Sequence, residues 1–101
     1  MEAITILGNN SYYYNFNITE DENGDERFDY VKLFGIPNYK DCVKAVIRFY
    51  YSVDKELELI NDYNQAIMDS NNLDLQKIEN YKSFLTKREQ IKEMVKQDFN
   101  K

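Results

Sequence analysis

Two amphipathic stretches separated by a polar break dominate the second half of this chain. Val53, Leu57, Ile60, Ile67 and Met68 fall at helical spacing; after Asp69-Ser70-Asn71-Asn72, so do Ile78, Tyr81, Leu85, Ile91, Val95 and Phe99. Apolar residues three or four apart share one face of an α-helix, so residues 52–101 are predicted to form a helical hairpin. Two such faces must cover each other or a partner. No residue set suited to reaction chemistry lies along them.

The rest of the composition narrows the function more than it identifies it. A chain of 101 residues is one domain with a single modest core, which leaves little room for a large catalytic cleft. There is no His, which removes the commonest general base, the Ser-His and Cys-His nucleophile pairs and the imidazole zinc ligands together. Cys42 is the only cysteine, so an internal disulfide and a thiolate metal site are both excluded; a reducing compartment fits best. The start, Met1 to Gly8, lacks the basic and apolar regions of a signal peptide, and nowhere do 18 apolar residues run together. A soluble protein with its whole chain present, without a membrane span, a metal or a cofactor, is expected. Nine Tyr and six Phe give large contact area, with a polar tip on Tyr that tolerates partial exposure, as suits an interaction surface.

The front of the chain reads as strands. Ala3 to Leu7 is short and β-prone, and Gly8-Asn9-Asn10-Ser11 supplies residues that tolerate positive φ in a tight turn. Tyr12 to Ile18 alternates, with Tyr12, Tyr14, Phe16 and Ile18 on one face and Tyr13, Asn15 and Asn17 on the other. Arg27 to Phe34 alternates too, with Phe28, Tyr30 and Phe34 opposite Asp29, Val31 and Leu33. Apolar groups on both of its faces suggest a central or doubly covered strand. Residues 1–36 are therefore predicted to form a three-stranded antiparallel meander.

Glu20, Asp21, Glu22, Asp25 and Glu26 crowd the second connection around Asn23-Gly24. Asp21, Asn23 and Asp25 repeat the oxygen-ligand spacing that opens a calcium loop, but the sixth position, which such a loop gives to Gly, is Glu26, and the twelfth, its bidentate Glu, is Lys32. A solvated type I′ turn centred on Asn23-Gly24 is the better reading; an acidic patch facing a basic partner is the alternative.

Gly35-Ile36-Pro37-Asn38 ends the sheet, with Asn38 as N-cap of a helix over residues 38–51 that turns Tyr39, Val43, Val46, Ile47 and Tyr50 to one side, widened by Ala45 and Phe49 and flanked by Cys42. Ser52 can cap a new helix, although no Pro or Gly forces a break. Without one, residues 39–68 would form a single helix of about 45 Å, too long for three strands to cover, and part of the hairpin would protrude with apolar surface for another chain. The fold class is thus α+β, a single domain over 1–101 comprising the meander, one helix and a long C-terminal helical hairpin.

Charge is uneven. Residues 1–74 hold 14 acids and 6 bases, residues 75–101 hold 4 acids and 7 bases, and the whole is −5. An acidic whole disfavours nucleic-acid binding, which needs clustered Lys and Arg, and Lys82, Lys92 and Lys96 interleave with Glu79, Glu89 and Glu93 as on an ordinary solvated helix.

The order of β-hairpin, helix, Tyr51-Ser52-Val53-Asp54, Leu59-Ile60-Asn61-Asp62-Tyr63-Asn64 and the final Tyr81-Lys82-Ser83-Phe84 to Lys96 helix, together with the Asn, Tyr, Lys and Ile bias, resembles small virion-associated proteins of tailed phages, including the crAss-like group infecting Bacteroidetes. The resemblance implies a non-enzymatic structural or assembly protein of a capsid, head fibre or tail, found in the virion or in the host cytoplasm before assembly, with copies of itself or other virion subunits as partners. Tyr12, Tyr13, Tyr14, Tyr50, Tyr51, Tyr63 and Phe99 are the candidate contact residues, because aromatic anchors dominate buried interfaces. The alternative is a phage-encoded acidic inhibitor of host defence, an anti-CRISPR-like DNA mimic, built on the five acids of the turn with Asp54, Glu58 and Asp62 on a helix.

Overall fold

The chain, seen as a computed structural model, lays down three antiparallel strands and then three helices. Residues 1–69, 71 and 73–100 are described; Ser70 and Asn72 of the polar break, and Lys101, lie outside the described residues. Strands β1 (Ile4–Leu7), β2 (Ser11–Glu20) and β3 (Glu26–Phe34) pair in the order β1-β2-β3. The helices are α1 (Tyr39–Tyr50), α2 (Val53–Met68) and α3 (Leu75–Phe99).

Turn chemistry sets the register of the sheet. Asn9 and Asn10 both adopt positive φ, 62° and 58°. Two successive residues at positive φ reverse the chain within the three-residue connection Gly8-Asn9-Asn10, and Asn accepts that conformation at lower cost than most side chains. It brings Leu7 opposite Ser11 and Ile6 opposite Tyr12. The acidic connection differs from the type I′ turn expected of it. Only Gly24 has positive φ; the Gly24 amide donates to the Asp21 carbonyl, and the Asp21 carboxylate accepts from the Asn23 and Asp25 amides. The Asp21 side chain organises the turn, and Gly24 closes it.

The β2 alternation holds through Phe16 and then breaks. Tyr12, Tyr14 and Phe16 are buried on the inner face, whereas Ile18, expected beside them, is exposed. The cause is a register shift between Phe16 and Thr19, with Asn17 at φ 52°. A bulge of this kind re-aims the following side chains. It directs the Asn17 amide to the Asp29 carboxylate at 2.9 Å and the Tyr50 hydroxyl at 2.6 Å. β3 is a further correction: β2 is central, and β3 is an edge strand covered on its Val31 and Leu33 side only.

Helix α1 and the C-terminal part of α3 form the second layer. Cys42, Val43, Val46 and Ile47 of α1 meet Ile91 and Val95 of α3 over Tyr12, Tyr14, Phe16 and Leu33. Cys42, read from the sequence as flanking the stripe, sits fully buried inside this core beside the Tyr12 hydroxyl. The Tyr14 hydroxyl donates to Asp98 at 2.5 Å and ties the sheet centre to the end of the chain.

A real break separates α1 from α2. Asn38 caps α1 by accepting from the Asp41 amide, and Ser52 caps α2 by accepting from the Lys55 amide. Tyr51 between them is extended, with its amide still on the Ile47 carbonyl, and Arg48 clamps the corner through Glu56 at 2.7 Å. Asp74 caps α3 through the Gln76 and Lys77 amides. The break does not make the molecule compact. Its dimensions are 55 × 35 × 23 Å and its radius of gyration 17.3 Å, against about 13 Å for a compact domain of this length. Protrusion of the hairpin thus needs no continuous helix.

Asn15 fastens the short β1 strand. Its amide donates to the Ala3 carbonyl at 2.7 Å, while Nδ2 reaches the Glu2 carbonyl at 3.1 Å and Thr5 Oγ1 at 2.8 Å. Asn15→Ala should cost about 1–2 kcal/mol by removing the two side-chain bonds. Hydrogen exchange at the Ile4–Leu7 amides should then accelerate; unchanged protection there would show that Asn15 does not hold the strand.

Candidate interaction surfaces

Two apolar surfaces have no cover among the described residues. The first is the outer face of the sheet. Because period-2 alternation puts Asp29, Val31 and Leu33 inward, Phe28, Tyr30 and Phe34 must point out, and no helix crosses that side. Tyr13 packs its ring 4.8 Å from Tyr30, Phe28 lies 6.3 Å from Tyr30, and the Lys32 ammonium sits 5.5 Å from the Phe34 ring centre. The double apolar alternation of β3 carried this signal in the sequence.

The second lies along the hairpin, where the stripe read from the sequence is not the side of α2 that meets α3. The side of α2 that meets α3 carries Leu59 and Ala66, which are buried; the sequence stripe of Val53, Leu57, Ile67 and Met68 stays exposed, with Ile60 half-buried. On α3 the buried residue facing α2 is Phe84, not Leu85, which is exposed. Tyr51 meets Phe84 edge-on at 4.9 Å and Tyr63 stacks on Tyr81 at 4.5 Å, so the helices run antiparallel. The apolar sector of α2 is wide enough to offer two faces, and the one bearing Leu59 and Ala66 is the one turned to α3. The periodicity could not make that choice.

The candidate contact residues divide accordingly. Tyr12 and Tyr14 are corrected from contact residues to core: both are fully buried, because β2 is the central strand and they point at the helices. Tyr13 stays on the outer face, half-buried. Tyr51 and Tyr63 are half-buried inside the hairpin, and Phe99 packs against the core. Tyr50 is exposed yet engaged by Asn17 and by the Lys87 ammonium, 4.1 Å from its ring centre. Phe28, Tyr30, Phe34 and Leu75 were not among the candidates, although they are the more exposed apolar groups.

The acidic turn is partly neutralised in place. Asp21 also lies 3.8 Å from Arg27, and Glu26 accepts from the N-terminal ammonium at 3.3 Å. Glu20, Glu22 and Asp25 face solvent. Among the described residues, no three His, Cys, Asp or Glu side chains converge as metal ligands would, and no helix is long and apolar enough to cross a membrane. Burial, reinforced by the Cys42 contact at 3.7 Å, pushes the Tyr12 phenol up to about 12. Burial and then the Asp98 bond raise Tyr14, and burial raises the Cys42 thiol. All three groups are therefore held neutral at ordinary pH, and a thiol kept from ionising is a poor nucleophile.

The arrangement offers surfaces for contact, and its polar networks hold the fold. Compared with known proteins, the chain matches no family model, no curated protein and no solved structure.

Proposed function

We propose that this chain is a non-enzymatic structural or assembly subunit of a tailed phage, acting in a capsid, head fibre or tail through self-association or docking. One observation carries the reading. The chain exposes 7319 Å², whereas a compact monomer of 12.1 kDa exposes about 6,000 Å². The elongated hairpin and the uncovered sheet expose apolar groups, Val53, Leu57, Ile67 and Met68 on the one and Phe28, Tyr30 and Phe34 on the other, and apolar patches mark interaction sites. The element order that resembles small virion proteins supports the virion as the place of contact.

The test is proteomics of gradient-purified particles of the phage encoding the chain. Recovery in fixed, multi-copy proportion to the major capsid protein is expected. Recovery from the soluble fraction alone would remove the virion role and leave the acidic inhibitor as the reading to pursue. That alternative draws on Asp54, Glu58 and Asp62, spaced four apart on α2, but Glu58 is already beside Lys55 at 3.8 Å and Asp21 and Glu26 are engaged within the turn.

A further inference from the structure

We infer that β3 pairs with the β3 strand of a second copy of this chain, antiparallel about a two-fold axis that runs normal to the sheet at Val31 and joins the two three-stranded sheets edge to edge. This rests on reading the chain as an interaction subunit, and it names the edge and the partner.

The edge is chemically open. The Asn15 amide donates to the Ala3 carbonyl, so Tyr13 and Asn15 turn their main-chain groups to β1, and the alternate residues Tyr12, Tyr14 and Phe16 turn theirs to Leu33, Val31 and Asp29 of β3. The Gly35 amide, in step with Leu33, donates to the Asn10 carbonyl. The amides and carbonyls of Tyr30, Lys32 and Phe34 therefore point away from β2, where no further strand pairs among the described residues. β1, at the other edge, has four residues; β3 has nine. An unpaired row of that length is a template for another strand.

The sequence of β3 fits its own copy in one register. A two-fold normal to the sheet keeps inner residues opposite inner residues. Centred at Val31, it sets Tyr30 opposite the partner's Lys32 and Phe28 opposite the partner's Phe34, an ammonium beside a ring and a ring beside a ring. Lys32, a residue type that discourages edge contacts, already lies 5.5 Å from the centre of the Phe34 ring and here gains a second ring. An axis at Asp29 or at Lys32 would oppose like charges, and one at Tyr30 would set Phe34 against the partner's Glu26.

The helix layer shares that axis. α1 packs on both β3 and α3. At about 100° per residue counted from Val46, Tyr50 and Tyr51 lie about 40° and 140° to one side, whereas Phe49 and Ala45 lie about 60° and 100° to the other. Tyr50 and Tyr51 meet Lys87 and Phe84 of α3, so Phe49 and Ala45 form the flank turned away from α3. Along the strands, Cys42 meets Tyr12, which is opposite Leu33, and Phe49 meets Phe16, which is opposite Asp29. Ala45, between Cys42 and Phe49, stands level with Val31, and both are half-buried beside the core. The side chain that meets its own copy across the axis is thus a methyl group, which lets two helices approach to about 8 Å. The same two-fold brings the Asp41 end of each α1 to the Arg48 end of the other. A foreign strand could meet the free main-chain groups; a second copy also brings a helix whose small residue stands at the matching level.

The experiment is the solution mass of the full chain by light scattering over a concentration series, at low and high salt, with far-UV circular dichroism as the folding control. Wild type should reach twice the chain mass of 12.1 kDa and stay dimeric in high salt, because main-chain bonds and apolar contacts carry the pairing. Lys32→Pro removes an outward amide from an edge strand, where proline is tolerated, so the fold should persist while the dimer weakens at least roughly 100-fold through the two donors lost across the axis. Ala45→Glu sets two carboxylates at the axis and should act alike; Met68→Glu on the hairpin should leave the dimer intact. Val31→Cys reads the register: opposed residues of a non-hydrogen-bonded pair stand about 4.5 Å apart, within disulfide reach, so oxidation should give a covalent dimer, and Phe28→Cys should not. If Lys32→Pro loses its helical signal, Val31→Cys decides alone. A monomeric wild type, a dimer that survives a folded Lys32→Pro, or an oxidised Val31→Cys that stays single-chain would overturn the inference. So would a dimer broken by Met68→Glu alone. Monomers in solution with the chain still present in particles would sink the edge dimer and keep the virion reading; an edge dimer absent from particles would do the reverse.

Discussion

Phe84→Ala should destabilise the protein by about 3–5 kcal/mol, a large share of the 5–15 kcal/mol typical of a whole domain. Phe84 is 2% exposed, and its ring fills the junction formed by Tyr51, 4.9 Å away, and Tyr81, 6.2 Å away. The hairpin core has little else to close the cavity, since Leu59 and Ala66 are the only buried α2 residues among those described. The loss should be local first. Amide exchange in α2 and the first half of α3 should speed up strongly while the β2 amides keep their protection, and the helical signal should melt before the sheet. A loss under about 1 kcal/mol would mean that Phe84 is not the junction of the hairpin. Equal loss of protection everywhere would mean that sheet and hairpin unfold as one unit.

Raising the pH above 10 should destabilise the fold progressively. Tyr12 titrates at about 12 in the folded chain against 10 when unfolded, and Tyr14 is raised in the same direction. Between those values the unfolded chain releases a proton that the folded chain keeps, so unfolding becomes easier as pH rises; below pH 10 the contribution is fully present. For Tyr12 alone the loss approaches roughly 2–3 kcal/mol by pH 12. Cys42, raised from 9.0, acts in the same sense from a lower pH. Denaturant midpoints measured from pH 8 to 12 should fall for wild type and fall less for Tyr12→Phe, which cannot ionise at that site. Tyr14→Phe should flatten the curve too, from a neutral-pH stability lowered by about 1–2 kcal/mol through loss of the Asp98 bond. Parallel wild-type and Tyr12→Phe curves would show that the buried phenol does not drive the alkaline transition.

Much of the fold was legible from local chemistry. The Asn9-Asn10 turn, the Tyr12, Tyr14, Phe16 face, the Asn38 and Ser52 caps and the two hairpin helices follow from positive-φ tolerance, period-2 alternation and side-chain oxygens placed before helical runs. The candidate surfaces were less legible. The sequence offered Tyr12 and Tyr14 as contacts on residue type alone, and type does not distinguish a core ring from an interface ring. It left open whether the stripe of Val53, Leu57 and Ile67 covers the other helix or a partner, and Leu59 and Ala66 occupy the α3 side.

The sequence by itself determined which segments are strands and which are helical, and that the hairpin carries apolar faces that must cover each other or a partner. Those are properties of neighbours along the chain, settled within a turn or a few residues. Only the tertiary structure decided that β3 is an edge, that a break at Tyr51 separates α1 from α2, that Asn17 bulges to meet Asp29 and Tyr50, and which flank of α2 meets α3. A helix with an apolar sector wider than one contact can dock in more than one rotation. The choice follows from the volume of the facing side chains and the angle at which the preceding helix delivers it, and both are fixed by residues far away in the chain.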